Sequence, residues 1–321
     1  MDMQSVLKIV QIILSVIITS LIVLLLSVLF YKLKNLYSLK FKAELKQKSE
    51  FIDNKFFITD DQYQLHLLGS LKSTAKNIFI GVHELGMNKE DFTDFEKFFK
   101  DDENNAFICF DQRNFGQNIP EQSPSFSSVL FDLNNMINII KEKYSQSKII
   151  LIGEGFGYYL ALYAGWKNVN VSSIVALGPI TRMPYNYGAA DRAKIFSSWF
   201  FSHNRLIPVL MKGIDSSNNQ VFVNEIDTNM MTKGFITTRQ YYQLKRISKI
   251  SLKKMKSMNI QQLIIQPKND VYLNYEKLQQ LIQKTILTNL KIVYIENAKH
   301  FILKENMNQL AFEEIKKWAT K

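Results

Sequence analysis

Two kinds of apolar pattern divide this chain. Residues 9–30 are apolar except for Gln11, Ser15, Thr19, Ser20 and Ser27, and carry no charge. About 20 such residues make a helix long enough to cross a bilayer. No small-x-small cleavage site follows, only YKLKNLYSLKFK, so the run reads as a retained transmembrane helix and not as a signal peptide. From about Phe51 onward the pattern changes to short apolar runs bounded by turn residues. KFFITD and QYQLHLL flank Asp60 and Asp61 and predict a hairpin. Residues 76–83, 106–111, 148–152, 171–180, 261–270 and 290–300 each contain an apolar run of strand length. Unbroken runs of this kind suit strands covered on both faces. KEDFTDFEKFFK, FSSVLFDLNNMINIIKEKY and YYLALYAGW carry helical spacing between them. Strands alternating with helices predict an α/β domain with a mostly parallel sheet. Residues 181–258 break this rhythm, with aromatics at Trp199, Phe200 and Phe201. That segment is too long for a connection and predicts an inserted helical cap. The expected organisation is therefore a tail (1–8), a transmembrane helix (9–30), a basic juxtamembrane linker (31–50) and an α/β domain (51–321).

Charge adds an orientation. Lys32, Lys34, Lys40, Lys42, Lys46 and Lys48 follow the apolar run, whereas only Lys8 and the amino terminus precede it. The positive-inside rule then puts the large domain in the cytoplasm of a single-pass protein of the cell membrane. The same lysines, interleaved with Leu33, Leu36, Leu39 and Phe41, suit an anionic headgroup surface. The net charge of +11 is otherwise spread over the chain without an aromatic-and-basic module. A solvated basic surface explains it, and no nucleic-acid partner is expected. The single cysteine, Cys109, lies in the apolar run AFICF and excludes an intrachain disulfide framework.

The candidate chemistry centres on KIILIGEGFG, residues 148–157. A buried strand here enters a Gly-rich turn and then a helix, which is the frame of the G-x-S-x-G nucleophile elbow. The middle position is Gly155, where that motif has serine. Three further motifs stand in a matching order. His83-Glu84-Leu85-Gly86 resembles the H-G-x-G oxyanion loop, and Asp111-Gln112-Arg113-Asn114-Phe115-Gly116 resembles D-x-R-G-H-G. Asp270 in QPKND and His300 in NAKHF follow late strands, in the order elbow, acid, base. Together they resemble the α/β-hydrolase superfamily, in particular its monoacylglycerol lipase and lysophospholipase-like, serine aminopeptidase S33-type branch. The resemblance covers residues 51–321.

The resemblance implies an α/β-hydrolase fold and a carboxylic-ester hydrolase lineage acting on acyl lipids, with neither cofactor nor metal. It implies that Asp270 orients His300 as the base. It assigns the oxyanion hole to the amides of Leu85 and Phe156, with His83, Glu84, Gly86, Gly153 and Gly157 shaping loop and elbow. His83 is expected to shape its loop, and His66 and His203 to be surface or cap residues. The departures cluster at the chemical centre. Gly155 removes the nucleophile, Glu84 puts a side chain and a charge where negative charge develops, and Asn114 and Phe115 replace Gly-His. The expectation is a hydrolysis-impaired protein whose pocket still takes an acyl chain or a monoacyl lipid. Two alternatives stand beside it: an active ester hydrolase using a non-standard nucleophile or a His300-activated water, and a membrane-bound pseudoenzyme scaffold. The protein partners of such a scaffold are unspecified.

Overall fold

The computed structural model describes residues 2–41, 47–118, 120–121, 124–180, 187–198, 200–209, 211–228, 234–255, 257–273, 276, 278 and 289–320. Helix α1 (Met3–Leu36) starts before the apolar run and continues beyond it. The segment expected as a tail is thus helical from Met3, and the first six residues of the expected linker continue the helix. Asp2 caps its start by accepting from Ser5 N at 2.7 Å. Such a cap satisfies one of the otherwise unpaired first-turn N–H groups. Lys42 and Lys46 of the linker lie outside the described residues.

The domain that follows is built on β1 (Glu50–Ile52), β2 (Phe56–Ile58), β3 (Gln64–Ser70), β4 (Asn77–Val82), β5 (Asn105–Phe110), β6 (Lys148–Glu154), β7 (Val171–Leu177), β10 (Gln261–Pro267) and β11 (Leu290–Ile295). Among the described residues these nine form one sheet in the order β1-β2-β3-β5-β4-β6-β7-β10-β11. The pairs from β5 to β11 are parallel, and the β1-β2-β3 edge is antiparallel. The hairpin expected around Asp60 is β2–β3; β1, an added edge strand, was not anticipated.

Alternate strand residues feed two separate cores, because successive side chains point to opposite faces. Ile78, Ile80, Val82, Ile149, Leu151, Ile174 and Ala176 join one core, with Phe126, Leu133, Leu160 and Leu244. Those last four come from helices α3 (Phe126–Lys143), α4 (Gly157–Lys167) and α8 (Thr238–Met255). Phe79, Ile150, Ile152, Val175 and Leu177 join the other core, with Phe95, Phe99, Phe312 and Ile315. These belong to α2 (Thr93–Phe99) and the last helix, α9 (Asn308–Ala319). Cys109 sits unpaired in this second core.

Between β7 and β10 the described residues hold α5 (Ala189–Ser197), β8 (Leu206–Pro208), α6 (Gly213–Ser216), α7 (Gln220–Thr228), β9 (Phe235–Thr237) and α8. The cap was expected to be helical, yet β8 and β9 pair as an antiparallel ribbon. Three-residue strands carry too little alternation to be read from sequence. Thr181 and Trp199 lie outside the described residues.

Candidate functional site

β6 ends in the elbow at the C-terminal edge of the sheet. Gly155 has φ +51°, and its N–H donates to Leu177 O at 2.8 Å. The left-handed backbone there is natural for glycine and strained for other residues. Two residues later Gly157 begins α4 hard against β4: a Cβ at this position would lie 2.1 Å from Val82 O. Gly153 lies within β6, and Gly86, with φ +83°, turns the loop after β4.

Asp270, His300, Leu85, Phe156 and Gly155 converge as the motif order anticipated. Asp270 Oδ2 accepts from His300 Nδ1 at 3.0 Å, and its Oδ1 accepts from Tyr272 N at 2.8 Å. The imidazole is fully buried between two rings, with centroids 5.0 Å from Tyr272 and 5.1 Å from Phe301.

The space beside the imidazole is filled by Glu84. Its Oε1 accepts from Leu85 N at 2.5 Å and its Oε2 from Phe156 N at 2.8 Å. Oε2 also lies 3.3 Å from His300 Nε2. A Cβ on Gly155 would fall 1.4 Å from Glu84 Oε2 and 3.1 Å from His300 Nε2. The carboxylate therefore occupies the space that a side chain at residue 155 would take. It accepts from the amides of Leu85 and Phe156, the two expected from the sequence to form the oxyanion hole.

Electrostatics follow from this packing. Burial opposes charge on His300, but Asp270 and Glu84 outweigh it and push the imidazole up to about 10. This favours the imidazolium, which can donate from Nδ1 to Asp270 and from Nε2 to Glu84. Such charge-assisted bonds are stronger than neutral ones. An imidazolium has no free lone pair, so in this state it cannot accept a proton from a nucleophile or a water.

The neighbouring motif residues have structural partners. His83 Nδ1 bonds Glu84 O at 2.8 Å, and its Nε2 accepts from Gln112 N at 3.0 Å. Burial holds this histidine below its ordinary value, which keeps it neutral as the loop requires. Phe115, in place of a histidine, stacks edge-on to His83 at 5.8 Å. Arg113 is a buried clamp, bonding Asp132 at 2.7 and 2.8 Å and Asp61 at 2.7 and 2.8 Å. His66 is half-buried, with Nδ1 3.0 Å from Asn118 Oδ1, and so is not a simple surface residue. His203, between α5 and β8, bonds through its carbonyl to Arg239 N and Thr238.

Sequence reasoning passed over a second pair of acids. Glu154, immediately before Gly155, is fully buried; its Oε1 accepts from Leu303 N at 3.3 Å and its Oε2 has no partner among the described residues. Burial, and then the nearby Asp91, raise Glu154 well above the usual carboxylate range. Desolvation likewise pushes Asp91 up to about 7. A charged residue inside an otherwise apolar strand-to-elbow run was the available signal.

Comparison with known proteins gives a family and a fold. A family model described as serine aminopeptidase, S33 matches residues 73–307. A monoacylglycerol lipase from Paleococcus ferrophilus has a TM-score of 0.66 at 14% identity, covering 79% of this chain and 97% of that one. A soluble variant of monoglyceride lipase from Saccharomyces cerevisiae, solved with a substrate analog, has a TM-score of 0.68 at 14% identity, covering 88% and 96%. A lipase-esterase related protein from Clostridium acetobutylicum has a TM-score of 0.55 at 21% identity, covering 79% and 98%. No curated protein matches the chain by sequence.

Proposed function

This chain belongs to the serine aminopeptidase S33 family of α/β hydrolases, and from that premise we propose that it is a membrane-anchored relative of the monoacylglycerol lipases that no longer cleaves esters. The observation that carries this reading is the Glu84 carboxylate seated on both oxyanion amides and on His300. Hydrolysis needs three things at this point: a nucleophile, a base and a vacant oxyanion hole. Gly155 supplies no hydroxyl. Protonation of His300, which both neighbouring acids favour, removes the base, and Glu84 lies on the two amides of the hole. The same geometry counts against a water activated by His300. Retention of an acyl-chain or monoacyl-lipid ligand is the rest of the proposal, supported by the likeness of the fold to two lipases of that class.

The anchor is α1, whose most apolar window has a mean hydropathy of 3.0 and is 0% buried by the rest of the chain. Lysines beyond it support a cytoplasmic domain. Two measurements on the purified full-length chain test the function: p-nitrophenyl butyrate turnover with fluorophosphonate labelling, and mass spectrometry of co-extracted lipid. We expect neither turnover nor labelling, together with a bound monoacyl lipid or fatty acid. Turnover would refute the loss of hydrolysis. Absence of lipid would transfer support to the scaffold reading.

A further inference from the structure

Helix α1 leads directly into the domain. Its apolar run closes at Phe30, and Leu36, six residues later, is fully buried in the main core. At 1.5 Å per residue these positions are about 9 Å apart along the helix axis. The interfacial layer on each side of a bilayer is about 5–8 Å deep. A helix spanning the bilayer up to Phe30 therefore leaves the domain no spacer, and whatever surrounds Leu36 meets the headgroups.

Specific contacts decide which face that is. The Tyr37 and Tyr242 rings meet at 5.2 Å, and Gln243 Nε2 donates to Ser38 O at 2.7 Å. Arg246 Nη1 donates to Tyr37 O. Closer still to the apolar run, Lys32 Nζ donates to Phe200 O at 2.7 Å. The junction thus ties α1 to α8 and to the segment after α5. Both carry surface chemistry that matches a membrane. Phe200, Phe201 and Leu206 are exposed, Phe201 at 75%, and the Arg205 guanidinium lies 5.9 Å from the Phe201 ring centroid. Helix α8 contains no acidic residue, and Lys245, Lys249 and Lys253 are exposed at four-residue spacing along one side. Aromatic residues and a basic stripe, each tied to the C-terminal end of α1, are the composition of surfaces that lie in an anionic interface.

We propose that this face, formed by Phe200, Phe201 and Leu206 and the lysine stripe of α8, docks onto anionic phospholipid of the bilayer that α1 spans. The proposal rests on the membrane-anchor reading above. Docking sets the domain in one orientation on the membrane, with its cap toward the lipid.

The full-length chain is reconstituted in nanodiscs of phosphatidylcholine alone or with one quarter phosphatidylserine. Single nitroxide labels are placed through Ile17→Cys, Phe201→Cys and Leu310→Cys, the buried Cys109 being left in place. Leu310 is exposed on α9, across the sheet from α8, and serves as the aqueous reference. Relative accessibility to oxygen and to a polar nickel complex reports depth. We expect the residue 17 label in hydrocarbon and the residue 201 label at the interface in phosphatidylserine discs. Combining Lys245→Glu, Lys249→Glu and Lys253→Glu should raise the nickel accessibility of the residue 201 label severalfold without moving the residue 17 label. A residue 201 label as wet as the reference, with residue 17 in hydrocarbon, overturns the docking and leaves the anchor standing. An aqueous residue 17 label overturns the anchor, and the docking with it. Indifference of the residue 201 label to both phosphatidylserine and charge reversal overturns the role given to α8.

Discussion

Restoring the serine alone should not restore an ester hydrolase. In Gly155→Ser the new Cβ would lie 1.4 Å from Glu84 Oε2, so the carboxylate must leave its cradle. It then forfeits three charge-assisted interactions, to Leu85 N, Phe156 N and His300 Nε2. At about 1.5–3 kcal/mol each, the displacement costs roughly 5–9 kcal/mol before any relaxation. The left-handed backbone at residue 155 adds on the order of 1–2 kcal/mol for any residue with a side chain. The displaced carboxylate also remains near the hole, where it opposes the developing oxyanion. Glu84→Gly, combined with Gly155→Ser, removes that conflict and frees both amides. Two oxyanion donors at about 3 kcal/mol each, with tenfold in rate per about 1.36 kcal/mol, set a ceiling near 10⁴-fold between the double and single variants. We expect kcat/KM on p-nitrophenyl butyrate to rise at least about 10²-fold from Gly155→Ser to the double variant. His300→Ala should abolish the gain in that background. Equal activity of the single and double variants would refute the reasoning about Glu84. Wild-type turnover that disappears in His300→Ala would refute the assignment of an inactive site.

Three further outcomes follow from the same geometry and from α1. His300 has a folded value of about 10 against an ordinary 6.5, so its contribution to stability is complete below pH 6.5 and is lost as pH rises toward 10. The difference corresponds to on the order of 5 kcal/mol; thermal melts in detergent should fall steadily across that window, and a flat profile would contradict the ion-paired state. Glu84→Gln places an amide N–H₂ against one of the two backbone donors and removes a buried charge from the pair. It should destabilise the domain by about 3–5 kcal/mol and lower the His300 value read by imidazole proton NMR, whereas an unchanged titration would dissociate Glu84 from the site. Protease added to intact cells should leave residues beyond α1 uncut, and digestion from outside would reverse the orientation.

Much of the architecture was legible because it is written in local periodicity. The runs NIFIGV, NAFICF and KIILIGE became β4, β5 and β6, since a strand buried on both faces needs unbroken apolar sequence. GEGFG, QPKND and NAKHF nominated Gly155, Asp270 and His300 through their resemblance to α/β-hydrolase motifs, and the sheet topology carries those loops to one edge. The 22-residue apolar stretch marked α1 by length and composition alone.

Other features were decided only by the tertiary structure. Sequence could show that Glu84 stood where glycine is usual, but not that its carboxylate turns back onto Phe156 and His300, 72 and 216 residues away. No periodicity relates residues so distant. Whether a buried acid repels the site or completes an ion pair depends on atoms that only the packed sheet brings within 3.3 Å. The burial of Leu36 was hidden for the same reason: within its own segment it is one apolar residue near lysines, and only packing with distant elements makes it core. Local pattern determines which elements form, since each depends on neighbours a few residues away. The proton affinity of His300, the seating of Glu84 on the Leu85 and Phe156 amides and the burial of Leu36 depend on desolvation and contact across elements, which exist only once the chain has folded.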